Sequence, residues 1–266
     1  MSASNPKIPK DLEFIAKGIF VFESMTPKKE ILPFFADGFP GLVFFHSIAP
    51  VKVIVGKLSK IMNPVFIYGQ TLEPIQIEIE GPYFFVMVQL FPSFVESSFG
   101  IPITELTNSC WTIQRSEWTS ETKFHKAIQQ NSTIIAEEAI LDYLHKKSKG
   151  FLPDLVLHSC LQTIIDTNGN CEIFKIASDL KMSERTLQRK FQNYVGLTPK
   201  QFATIIRFQT SLFEMKAKKE SKLTDIAYNI GYADQSHFIR QFKSFTKEKP
   251  FQFREKNDPM SGLSNF

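Results

Sequence analysis

The stretch IAYNIGYADQSHFIRQF, Ile226 to Phe242, breaks two short apolar-periodic segments with a glycine and an acidic residue. A glycine just past the last periodic residue of a helix can adopt the left-handed conformation that ends it. That is the place of Gly231. Asp234 is then positioned to cap a following helix by accepting from its free backbone N–H groups. The spacing predicts a short helix, a tight turn and a second helix, the helix-turn-helix pattern. In the second helix Phe238 and Phe242 share one face at i, i+4 and Phe245 extends it, while Gln235, Ser236, Ile239, Arg240 and Lys243 take the remaining surface. Such a face suits a DNA major groove, where Gln bonds adenine, Arg bonds guanine, and Lys and Ser hold phosphates.

Working outward, the same pattern recurs. Ile176, Ala177, Leu180 and Met182 reappear fifty residues later as Ile226, Ala227, Ile230 and Tyr232. Arg189, Phe191 and Pro199 reappear fifty-one later as Arg240, Phe242 and Pro250. In the first copy, SERTLQRKF, Ser183 is the expected cap and Leu187 and Phe191 face inward. Arg185, Gln188 and Arg189 gather on the other side at i, i+3 and i, i+4. Between the copies, Thr198 followed by Pro199 is a strong helix start. The helix it opens runs roughly 19 residues, about 28 Å. Successive major-groove faces on one side of B-DNA lie roughly 34 Å apart, so this helix can space two reading helices into adjacent grooves.

Charge follows the same division. Residues 174–256 hold 17 Lys and Arg against 8 Asp and Glu, a net of +9, and the rest of the 266-residue chain carries −5. Starting the segment at Pro153 lowers its net charge to +6. A basic C-terminal third fits a polyanionic partner and equally fits solvated helix faces. Hydrophobic content of 43% and charged content of 22% describe a globular chain. The N-terminus has no apolar signal region, and the longest oily run, Tyr83 to Phe91, is far short of a bilayer span. Cys110, Cys160 and Cys171 show no CxxC spacing, which suggests reduced thiols in a cytoplasmic protein.

The first part of the chain has period two instead. IQIEIE, Ile75 to Glu80, alternates strictly, and VKVIVGK, LVFFHS, PVFIYGQ and YFFVMVQLF are short β-rich runs between Pro and Gly punctuation. The expected fold class is α+β: an N-terminal antiparallel β-barrel or half-barrel, then an all-α C-terminal module with two helix-turn-helix motifs. The expected division is 1–118 β-rich, 119–152 a helical connector, 153–257 the DNA-binding module and 258–266 a tail. Phe44, Phe45, Phe66, Phe84 and Phe85 at strand positions suit a filled aromatic core better than an apolar cavity. The helical stretch Ser120 to Lys147 suits a dimerisation or interdomain role.

The strings IASDLKMSERTLQRKFQNYVGLTPKQF and IAYNIGYADQSHFIRQFKSFTKEKPFQFR, with Arg207 between them, resemble the AraC/XylS family of bacterial transcription regulators. The resemblance spans roughly Pro153 to Lys256 and implies a seven-helix module that contacts two successive major grooves. By position, Arg185, Gln188 and Arg189 match the reading face of the first recognition helix, and Gln235, Ser236, His237 and Arg240 match the second; Lys243 joins them from the helical spacing. Three positions depart from the family pattern: Lys249 stands where Ser is usual before Pro250, Ser211 where Ala is frequent, and Tyr232 where Phe is usual. LPFFADGFPGLVFF with YGQT resembles uncharacterised cupin-like barrels found in front of such modules. The resemblance implies a transcription activator that binds double-stranded DNA and RNA polymerase, with a small-molecule effector or a homodimer interface at the barrel, and neither cofactor nor membrane association.

Enzymatic readings find little. His46 is the sole histidine before His125, too few for a barrel metal site, and its ordinary role is that of a satisfied strand histidine. No GxSxG, HExxH, P-loop or GxGxxG is present. DNA-repair methyl-acceptor proteins with an AraC-like module need an N-terminal cysteine cluster, and no cysteine precedes Cys110. The competing reading is a small-molecule-binding or interaction protein with a vestigial DNA module.

Overall fold

The strict alternation at 75–80 becomes a strand with Ile75, Ile77 and Ile79 buried and Gln76 and Glu80 exposed, in a computed structural model that describes residues 2–118, 122–218 and 221–255. The tail expected at 258–266 lies outside the described residues, as do 119–121, 256 and 257. In chain order the first half runs β1 (Ser2–Ser4), β2 (Ala16–Ser24), β3 (Lys29–Phe34), β4 (Gly41–Ser47), β5 (Lys52–Val55), β6 (Leu58–Ile61), β7 (Val65–Tyr68), β8 (Ile75–Glu80) and β9 (Tyr83–Leu90). Then come α1 (Pro92–Phe99), α2 (Ile103–Leu106), β10 (Cys110–Thr112), α3 (Arg115–Trp118), α4 (Thr122–Gln130) and α5 (Thr133–Lys147). Seven helices follow: α6 (Leu155–Asp166), α7 (Ile173–Asp179), α8 (Glu184–Val195), α9 (Pro199–Ala217), α10 (Leu223–Asn229), α11 (Gln235–Thr246) and α12 (Pro250–Glu255).

The strands form two sheets, ordered β1-β2-β9-β4-β7-β10 and β3-β8-β5-β6. They share no strand, so the β half is an open two-sheet arrangement and not a closed barrel. β9 lies inside the larger sheet and is buried along its whole length, which explains why its sequence is apolar throughout and does not alternate. One face of that sheet presents Phe44, Phe84, Val86 and Val88 to the helices that follow it. There Phe124 of α4 meets Phe44 edge-on at 4.7 Å, and Ala136, Ile140 and Tyr143 of α5 complete the same core. Residues from 122 to 152 group with the first unit, whose last segment runs to Pro153. The physical reason is plain: the apolar stripe of α5 needs a cover, and the sheet face supplies it. Phenylalanines of this half pack on one another. Phe22 stacks on Phe85 at 4.4 Å and Phe45 meets Phe66 at 6.0 Å.

The second unit comprises the chain from Asp154 onward together with Pro33–Gly38 and Gln70–Ile75. Within it Phe35 packs edge-on against Phe253 at 5.3 Å, and the Gln209 amide donates to the Ala36 carbonyl. Gly38, at φ 87°, sits so close to the Phe202 ring that a Cβ would lie 2.9 Å from it.

Candidate nucleic-acid interface

Each predicted turn and cap is in place. α7 and α10 both span seven residues and begin fifty apart, and α8 and α11 both span twelve and begin fifty-one apart. The first helix of each pair closes through matching backbone bonds, Met182 N–H to Ala177 O and Tyr232 N–H to Ala227 O, at 2.9 and 3.0 Å. Gly231 is left-handed at φ 82°, and its counterpart Lys181 takes the same turn at φ 55°. The second helices are capped as expected. Ser183 Oγ accepts from Thr186 N–H at 3.1 Å, and Asp234 Oδ1 accepts from His237 N–H at 2.7 Å. Satisfying these free N–H groups fixes where each reading helix starts, and hence which residues fall on its outer face.

Inward, Leu187, Phe191 and Val195 of α8 are buried, as are Phe238, Phe242 and Phe245 of α11. α9 separates the two motifs. It is 19 residues long and opens with a reciprocal capping box between Thr198 and Gln201. Phe202 meets Phe191 of the first motif at 6.1 Å, while Phe208 stacks near Phe245 at 4.7 Å and meets Phe242 at 5.4 Å. Each motif is thus bound to its own stretch of the same helix. Ser211, the departure from alanine, is fully buried and returns its hydroxyl to Phe208 O at 2.6 Å, so it leaves no unmet polar group.

Outward, the structure brings Arg185, Gln188 and Arg189 together on one exposed face of α8. On α11 it exposes Ser236, Arg240 and Lys243 and half-buries Gln235 and His237. The His237 ring is held edge-on by Tyr232, centroids 5.4 Å apart. Neither Arg185, Gln188 and Arg189 nor Gln235, Ser236, Arg240 and Lys243 engage their side chains in a hydrogen bond or ion pair among the described residues. Nearby cations differ. Lys190 is tied to Asp154 and lies over the Tyr194 ring at 5.4 Å, and Lys175 pairs with Glu172 at 2.5 Å. Partial burial works against the Asp154 carboxylate, yet the Lys190 ammonium and the Leu157 N–H hold it below its ordinary value. The face therefore keeps its donors free of partners among the described residues, while Lys190 and Lys175 are engaged within the chain.

No group of His, Cys, Asp and Glu that could hold a metal occurs among the described residues. His46 packs against Phe84, ring centroids 5.5 Å apart, and burial lowers its pKa. Cys110 and Cys160 are buried thiols pushed up to about 12 by their burial. No described helix is long and apolar enough to cross a membrane.

Residues 176–256 match the family described as a helix-turn-helix domain. The C-terminal module is similar to AraC-type helix-turn-helix domains. Residues 9–112 match a domain of unknown function, DUF6597, the stretch that holds β2 to β10. Among curated relatives, an uncharacterized HTH-type transcriptional regulator of Haemophilus influenzae is 32% identical over 130 residues, 48% of this chain and 40% of that protein. The HTH-type transcriptional regulator MtrA of Neisseria gonorrhoeae is 31% identical over 103 residues, 38% of this chain and 34% of its own. The chain thus spans well under two thirds of the length of these relatives. Among solved structures, ToxT of Vibrio cholerae is similar in fold across 96% of this chain and 98% of its own, with a TM-score of 0.51 and 15% identity.

Arg207 is the residue whose importance exceeds what its sequence neighbourhood signals. Its partners lie 38 residues before it and 25 after, beyond the reach of helical periodicity.

Proposed function

We propose that this chain is a sequence-specific DNA-binding transcription regulator, with α8 and α11 in successive major grooves and α9 as the spacer. The observation that carries it is the pair of matched helices, each capped, each anchored by phenylalanines, and each showing an unpaired polar and basic face. Arg185, Gln188 and Arg189 read or hold one half-element; Gln235, Ser236, His237, Arg240 and Lys243 serve the other. The named relatives are transcription regulators, which supports the same reading; activation through RNA polymerase in the cytoplasm is part of the proposal. The DUF6597 half is proposed as the regulatory part, through a small molecule or a second copy of the chain. A vestigial module would have no reason to keep both faces free of internal ion pairs, and this favours the DNA reading.

The test is selection of bound fragments from a random DNA pool by the full chain at physiological salt, where nonspecific phosphate attraction is suppressed. Two short half-elements about one helical turn apart are expected. A pool that stays random with and without added cell metabolites would overturn the reading.

A further inference from the structure

Arg207 lies in the middle of α9, between the aromatic contacts that bind the first motif to that helix and those that bind the second. Its Nη2 donates to the Gly169 carbonyl at 2.7 Å, and its guanidinium sits 5.5 Å from the centre of the Tyr232 ring. These two partners lie in different turns. Gly169 is in the turn that leads into α7, and Tyr232 closes the turn between α10 and α11.

The surroundings leave little slack. Gly169, at φ 73°, is pressed so closely on α9 that a Cβ there would lie 2.1 Å from the Ala203 carbonyl oxygen. A Cβ on Gly231 would lie 2.7 Å from the side chain of Asn170, so the turn before the first motif touches the turn inside the second. Tyr232 is buried and meets both His237 and Phe238 of α11, at 5.4 and 5.3 Å. Arg207 Nε is buried without a hydrogen-bond partner, so the guanidinium is oriented by the Gly169 carbonyl and the Tyr232 ring. A planar guanidinium can donate to a carbonyl in its own plane while its flat face lies on a ring; a lysine ammonium has no flat face to stack and no fixed fork to hold that geometry.

We infer that Arg207 is a positioning residue that fixes the separation and angle of α8 and α11, and so sets the spacing between DNA half-elements that the chain accepts. The aromatic contacts fasten each motif to α9 separately, whereas Arg207 links the turn that leads into the first motif to the turn inside the second. This rests on the DNA-binding function proposed above.

The experiment takes the bipartite site recovered from the random pool and varies its spacer by a base pair or two in each direction. Binding is measured for the full-length wild type, Arg207→Met and Arg207→Lys, with the unfolding midpoint of each. The wild type is expected to prefer one spacing by about tenfold. Both variants are expected to keep the base preferences within each half-element while all spacings fall within about threefold of one another. A wild-type spacing profile in the variants, or an equal loss at every spacing, would overturn the assignment and leave Arg207 a stabilising contact. If Arg207→Met fails to fold cooperatively, Arg207→Lys decides, since it keeps the stem, the charge and a donor for Gly169. A wild type that recovers no bipartite site sinks the DNA reading and this inference together, whereas failure of Arg207 alone leaves the wild-type site intact.

Discussion

The two helix-turn-helix motifs share a backbone but divide its difficult positions differently. Each copy needs two left-handed residues, one in its turn and one after its reading helix. The first copy uses Lys181 in the turn and Gly196 after the helix; the second uses Gly231 in the turn and Lys247 after the helix. Glycine and lysine have exchanged places. At Gly231 the reason is visible, because a Cβ would meet Asn170 at 2.7 Å. At Lys247 the left-handed conformation is held by a bond from its N–H to Lys243 O at 2.8 Å. A repeated motif therefore dictates geometry at equivalent positions, while the neighbour each copy touches dictates which residue can occupy them.

The equivalence is open to direct attack. Phe191 and Phe242 are both fully buried at matching positions, so Phe191→Ala and Phe242→Ala should each cost about 3–5 kcal/mol of unfolding free energy in denaturant titrations. A large inequality would show that one motif contributes far more to the unit than the other. Arg189→Ala and Arg240→Ala should each weaken specific binding by about 1–3 kcal/mol and relax preference at one base position, in opposite half-elements. Uniform loss across sequences would reassign that arginine to a phosphate. Gly231→Ala should cost about 1–2 kcal/mol from the left-handed backbone, with Asn170 displaced, as read from the thermal midpoint. Ser183→Ala and Asp234→Ala should each cost about 1 kcal/mol. The smallest effect is Lys181→Gly, which relieves the turn without a clash and should stabilise by less than about 1 kcal/mol, since glycine also loosens the unfolded chain.

How far the sequence could be read follows the range of the interactions involved. Caps, turns and inward phenylalanines of the helical module depend on residues within a few positions of each other, and Ser183, Thr198, Gly231 and Asp234 all act as their spacing predicts. The period-two strand at 75–80 was equally legible. β6 was not: Leu58–Ile61 is exposed throughout and is a strand because it pairs with β5 across the Gly56 turn. α1 lay hidden in the β-rich stretch, although Pro92 at its start and left-handed Gly100 at its end are the usual punctuation. The outer faces of α8 and α11 could be named from i, i+3 and i, i+4 spacing. That Lys190 is withdrawn from the surface by Asp154, and that Arg207 spans two turns, depends on contacts 25 to 38 residues apart that no local pattern carries.

The hydrogen bond from Gln209 to Ala36 joins positions 173 residues apart, inside a unit assembled from three separate passes of the chain. Closing so long a span is slow relative to forming helices and turns, even though its entropy grows only logarithmically with length. The seven helices can therefore collapse early on local contacts, while the finished unit waits on a strand-end segment made near the start of synthesis. A fragment cut at Pro153 would hold every helix of the module and still lack Phe35, Ala36 and Gly38, so it would expose the apolar surface around Phe253 and Phe202 that those residues cover.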